Sequence, residues 1–157
     1  MTLDLLDRAD QVAHEELVYV TLTVGGQLCG IPVLGVRDIL AEQPITRIPL
    51  AAPEIAGSLN LRGRIVTAID LRRRLSLPPP APDQKRMSVV VEQSGELYAL
   101  LVDHVSEVMN LDSGLSERNP PTLGRNWATF SAGIYRLDGR LLVILDVARL
   151  LDFAMQG

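Results

Sequence analysis

Short apolar runs rich in β-branched residues, broken by two-residue turns, set the pattern of this chain. Residues 17–24, LVYVTLTV, predict a strand; Gly25-Gly26 predict a hairpin turn, and residues 27–33 the returning strand. Residues 35–40 read as a short connecting segment. Residues 45–48 read as another short strand, with Pro49 and Pro53 punctuating the path onward. The stretch 57–77, GSLNLRGRIVTAIDLRRRLSL, is then one compact unit. A strand around 56–61 meets a tight turn at Arg62-Gly63, and a second strand spans 65–69. Asp70 stands where it caps a short helix over 71–75. Aspartate suits that place because its carboxylate accepts hydrogen bonds from the free N–H groups of the first helical turn.

The unit occurs twice. Residues 133–151, GIYRLDGRLLVILDVARLL, align with 57–75 without a gap: Gly133 falls on Gly57, Leu137 on Leu61, Gly139 on Gly63, Arg140 on Arg64 and Asp146 on Asp70. Upstream, 97–109 align with 28–40, placing Val105 on Val36, Glu107 on Asp38 and Val108 on Ile39. Residues 86–92, a Ser94-Gly95 turn and 96–102 mirror the first hairpin. Residues 111–129 are irregular, with the lone Trp127, and a helix is expected over 147–153. The fold class is therefore mainly β, a duplicated design of roughly five strands per copy with short helical pieces. Short strands with frequent turns favour small barrels over one open sheet. The run PPPAP, 78–82, reads as a connector between sub-barrels over 17–77 and 85–151. Residues 1–16 are an acidic tail or helix, with Leu5, Leu6, Ala9, Val12 and Ala13 at helical spacing. Gly57, Gly63, Gly133 and Gly139 are expected at tight turns or close backbone approaches, Asn60 within the turn, and Asp70 and Asp146 as caps.

Composition narrows the function. The 157 residues are 47% hydrophobic, enough for a real core. Net charge is −4 and aromatics are 4%, which argues against a basic nucleic-acid footprint and against base-stacking platforms. Cys29 is the lone cysteine, so no internal disulfide is available and a reducing, cytoplasmic home is expected. No apolar run is long enough to span a bilayer, and the acidic N-terminus lacks the basic region of a signal peptide. His14, His104 and one cysteine give no metal-ligand spacing. A Cys29–His104 nucleophile pair is the sharpest catalytic option, but a lone cysteine in an apolar strand is ordinarily core. No phosphate-cradling glycine motif is present, and Arg72-Arg73-Arg74 reads as a solvated helix face. The chain is expected to be no enzyme and to need no cofactor or metal.

ITRIP (45–49) followed by GSLNLRGRIVTAIDLR (57–72) resembles the signature of the CheW family, the adaptors of bacterial chemotaxis arrays. GVRDI (35–39) resembles that family's V-x-E-I segment, with Asp38 where Glu is usual. The resemblance covers residues 17–151. It implies two five-stranded SH3-like β-barrel subdomains and a non-catalytic role bridging the cytoplasmic tips of chemoreceptors to the histidine kinase CheA. The kinase's own regulatory domain is CheW-like, so adaptor and kinase would pair. Receptor helices would dock in an apolar groove between the barrels. Alternatives are a CheW-like adaptor of another kinase pathway, such as pilus motility or biofilm formation, and a small-barrel hydrolase or nucleic-acid binder. Charge and absent catalytic spacing count against the last two.

The binding residues expected from this resemblance are Val36, Asp38, Ile39 and Arg62. Val36 and Ile39 would lie at the groove, the alternative being ordinary core positions. The kinase patch is expected at the barrel end near the first central hairpin. Arg62 stands where the second copy has Asp138, in a stronger Asp-Gly turn; arginine fits there if only Gly63 is left-handed. Only the first copy carries opposite charges at the hairpin tip and the connecting segment, so Arg62 is expected to reach Asp38, directly or through a water. The alternative is a solvated loop tip.

Overall fold

The computed structural model describes residues 15–155. The strands are β1 (Glu16–Val24), β2 (Gln27–Pro32), β3 (Val36–Leu40), β4 (Ile55–Leu61), β5 (Arg64–Asp70), β6 (Met87–Gln93), β7 (Glu96–Val102), β8 (His104–Asp112), β9 (Ser131–Leu137) and β10 (Arg140–Leu145). Three short helices accompany them: α1 (Leu71–Arg74), α2 (Arg125–Phe130) and α3 (Val147–Met155). The tail expected over 1–16 falls almost wholly outside the described residues. The segment 35–40, expected to be a connection, is largely strand β3, and its counterpart in the second copy is β8. The short strand expected over 45–48 is reduced to one bridge, Thr46 to Ser58.

Two five-stranded sheets form, ordered β8-β1-β2-β10-β9 and β3-β6-β7-β5-β4. The two orders correspond position for position under the duplication, so the subdomains share a topology. Neither sheet is built from one copy. The first takes the β1–β2 hairpin from copy one and β8–β10 from copy two; the second takes β3–β5 from copy one and the β6–β7 hairpin from copy two. The division expected at 17–77 and 85–151 is therefore corrected: the copies exchange their leading hairpins. Parallel pairings make the exchange, β2 with β10 at Cys29–Val143 and β7 with β5 at Tyr98–Thr67. Two copies with the same apolar pattern present interchangeable hairpins, so the repeat alone does not say which copy's hairpin completes which sheet.

The exchange explains why several strands are apolar without alternation. Leu22, Cys29, Ile31, Ile69, Leu100, Val143 and Leu145 point into a core shared by both sheets. Their neighbours point the other way, Ala68, Ala99 and Leu101 into the second sheet's own interior, Leu142 and Ile144 into the first's. Strands buried on both faces lose the polar half of the alternation. Fully burying each large side chain contributes about 1.5–3 kcal/mol, so the shared core ties the subdomains together.

The caps fall as expected. Asp70 accepts a hydrogen bond from the Arg73 N–H at 3.3 Å, and Asp146 from the Arg149 N–H at 3.2 Å. Gly57, at φ 149°, lies so close to Thr46 that a Cβ would sit 2.2 Å from its carbonyl oxygen. Gly133, at φ 144°, meets Glu117 more loosely, at 3.3 Å.

Candidate functional site

Strands β3 and β4 are opposite edges of the second sheet, yet a side chain at the β4–β5 tip reaches β3. Arg62 Nη2 lies 3.1 Å from Asp38 Oδ2, with the Arg62 side chain 80% exposed and that of Asp38 20%. The contact is direct, and it spans from the β4–β5 tip at one edge of the sheet to β3 at the other. Asp38 Oδ1 accepts from the Ile39 N–H at 2.9 Å. Oδ2 has no aligned hydrogen-bond donor, so the attraction to Arg62 is Coulombic and, at this exposure, contributes about 0–1 kcal/mol. Its equivalents Glu107 and Asp138 are both exposed and of like charge.

The turns invert the expectation. Arg62 and Gly63 are both left-handed, at φ 51° and 85°, whereas in the second hairpin only Gly139 is, at φ 80°. A left-handed non-glycine residue costs about 1–2 kcal/mol. What braces it is Asn60, whose Oδ1 accepts from the Gly63 N–H at 2.8 Å. The second copy has Arg136 at that position, and it pairs with Glu117 at 3.0 Å instead.

The duplication creates two corresponding junctions between the sheets. At one, Arg72 on α1 meets Asp103, which links β7 to β8. The guanidinium donates through Nε at 2.9 Å and Nη2 at 2.7 Å, a two-point fork, and Nη1 donates to the Pro78 carbonyl at 2.9 Å. Asp103 also accepts from the Gly25 N–H at 2.8 Å. The pair is mostly buried, at 14% and 12% side-chain exposure. Burial pushes the Asp103 carboxyl up, but the hydrogen bonds from Arg72 and Gly25 and the charges of Arg72 and Arg86 outweigh it and hold it below the usual carboxylate range.

At the other junction the matching residues are Leu34 and Ala148, which cannot pair. There an apolar cleft of about 280 Å³ opens between the sheets, with Ile31, Ile144 and Leu145 on one side and Val91 on the other. Pro32 and Gly35 form part of its lip. Between them Leu34, in the turn Val33–Gly35, is 87% exposed.

Among the expected binding residues, Asp38 and Arg62 are brought together. Val36 is half-buried against the shared core, directly after Gly35 of the cleft. Ile39 is 40% exposed farther along β3, and its counterpart Val108 on β8 is 57% exposed. Near the hairpin tip, Ile65 is 80% exposed.

The catalytic option fails on geometry. Cys29 is fully buried in the shared core, and burial pushes its thiol up, with Asp103 adding to the shift. β1 separates its strand from that of the exposed His104, a spacing of about 10 Å across two strand intervals. The arginine run is also corrected: only Arg73 is solvated. Arg74 lies over Phe130 and Phe153, at 4.7 and 4.5 Å from the ring centres, and donates to the Leu150 carbonyl on α3 at 2.8 Å. Arg72, Asp103 and Leu34 were missed as site residues, although the same signal that singled out Arg62 was present. Arg72 aligns with Ala148 and Asp103 with Leu34, a charge pair held by one copy alone.

Comparison with known proteins places this two-sheet architecture in a family. The CheW-like domain model matches residues 18–155. The chain belongs to the CheW-like domain family. It is 31% identical to the chemotaxis protein CheW of Klebsiella aerogenes over 144 residues, 91% of this chain and 84% of that protein. It is also 31% identical to the chemotaxis protein CheW of Bacillus subtilis, over 85% of each chain. The crystal structure of the scaffolding protein TtCheW from Thermoanaerobacter tengcongensis superimposes with a TM-score of 0.74 at 29% identity, covering 82% of this chain and 88% of that one. The CheW fold is thus the fold of this chain. No helix among the described residues is long and apolar enough to cross a membrane.

Proposed function

We propose that this chain is a non-catalytic coupling adaptor of chemotaxis signalling, joining the cytoplasmic tips of chemoreceptors to the histidine kinase CheA at the inner face of the membrane. The observation that carries the reading is the open apolar cleft between the sheets, with Leu34 exposed on its lip. At about 280 Å³ it falls just below the ~300–1,000 Å³ range of small-molecule pockets. Such a cleft suits side chains projecting from a docked helix, the i, i+3, i+4 anchors of helix-in-groove recognition. The receptor helix occupies this cleft. The kinase's regulatory domain takes the hairpin end, where the exposed Ile65 follows the exposed Arg62 and Arg64, an apolar centre with a polar rim. The Arg62–Asp38 pair fixes the hairpin against β3 between these two surfaces.

Co-sedimentation with a soluble receptor signalling fragment and CheA tests the reading. The wild-type protein should enter the ternary complex, and Leu34→Glu should reduce receptor recovery at unchanged melting temperature. Failure of the wild type to bind either partner overturns the reading.

A further inference from the structure

The lip of the cleft is held by a contact that the other junction lacks. Arg37 sits at the bulge in β3, where the pairing with β6 shifts register between Val36 and Asp38. Its guanidinium donates to Glu92 Oε2 through Nε at 3.0 Å and Nη2 at 2.6 Å. Through Nη1 it donates to the Leu34 carbonyl at 3.3 Å. Glu92 itself lines the cleft. The corresponding residues at the closed junction are Ser106 and Thr23, which carry no charge.

We propose that Arg37 and Glu92 are positioning residues for the docked helix, a latch that fixes the Val33–Gly35 turn and so presents Leu34 at the cleft. This rests on reading the cleft as the receptor-docking groove. The physical argument lies in the mismatch between what the pair contributes to folding and where it sits. With side chains 50% and 38% exposed, the pair adds little to stability. The turn it braces contains no fully buried residue and no side-chain cap, so no core side chain within the turn itself anchors Leu34. An exposed leucine on an unbraced turn must be ordered when a partner binds, and that ordering weakens affinity. A planar fork that bonds β6 and the turn carbonyl together removes the cost beforehand. Lysine at position 37 would keep the charge attraction to Glu92 but lacks the fork that reaches Leu34 as well.

The test combines hydrogen exchange with binding of a purified soluble receptor signalling fragment. Arg37→Gln and Arg37→Lys should both speed exchange of the Gly35 and Val36 amides. Both should weaken binding about tenfold, the size expected when one or two residues must be ordered on docking, while the melting temperature stays within measurement error. Glu92→Gln should act in the same direction. Ala132→Arg, which fills the cleft from β9 and leaves Arg37 and the Val33–Gly35 turn unchanged, separates the two claims. If it abolishes binding and the Arg37 variants bind normally, the latch is overturned while the groove stands. If Ala132→Arg binds normally, the groove reading itself falls, and the latch with it. Accelerated exchange with unchanged affinity also overturns the positioning role, because the turn would then be braced to no effect on docking.

Discussion

The two junctions between the sheets occupy corresponding places in the duplication and are finished in opposite ways. One is sealed by the Arg72–Asp103 fork, supported by Gly25 and the Pro78 carbonyl. The other has Leu34 and Ala148 at the matching positions and stays open as an apolar cleft. Gene duplication supplies a symmetric frame with two equivalent junctions. A few residues present in one copy only then decide which junction is packed shut and which stays open. The same asymmetry recurs at the hairpin tips, where the first copy has the Arg62–Asp38 attraction and the second has two carboxylates.

The largest expected effect comes from opening the sealed junction. Asp103→Asn leaves Arg72 buried without its counter-charge and should cost about 3 kcal/mol, as removal of one partner of a buried pair does. For a domain of this size that is roughly a 6–12 °C drop in melting temperature. Ala148→Arg at the open junction should change stability by less than about 0.5 kcal/mol. The acid limb sharpens the contrast. The folded Asp103 carboxyl is held below its unfolded value of about 3.9, so its contribution is full above that pH and is lost as pH falls through the folded value. Thermal melts of the wild type should therefore lose stability in that window, and the Asp103→Asn profile should be flatter there.

Next comes the pair of glycines. Gly57→Ala drives a Cβ into the Thr46 carbonyl and should cost about 2–3 kcal/mol, whereas Gly133→Ala, with more room, should cost about 1 kcal/mol. Equal losses in denaturant titrations would mean the two copies pack alike after all. The smallest stability effect is expected at the hairpin tip. Arg62→Ala should leave folding within about 1 kcal/mol but impair assembly of receptor and kinase complexes. The exchange Arg62→Asp with Asp38→Arg should restore part of that assembly. Normal assembly by the single variant would return Arg62 to the role of a solvated tip.

Much of this was legible in the residues. The duplication, the caps at Asp70 and Asp146, the hairpins and the Arg62–Asp38 contact all rest on local pattern or charge, which a gapless alignment exposes. The exchange of leading hairpins was not legible, because it depends on which of two similar apolar strands pairs with β10 or β5, and both satisfy the same alternation. Strand β3 was hidden because it is a five-residue edge strand with a bulge, too short and too polar to stand out. The turn types were misjudged for a specific reason: Asn60 braces a left-handed Arg62 from outside the two central residues. An apolar groove between the barrels was expected from the family resemblance, but its place was not read, although Leu34 and Ala148 stand where the other copy has the Asp103–Arg72 ion pair.

Chemical-shift mapping on the isotope-labelled protein, titrated with a soluble receptor signalling fragment, tests the central claim most directly. The expected result is perturbation centred on the open junction, at Ile31, Leu34, Val91 and Val147, with Val24, Leu71 and Asp103 at the sealed junction unmoved. Perturbations centred on the sealed junction, or spread equally over both, would contradict the account.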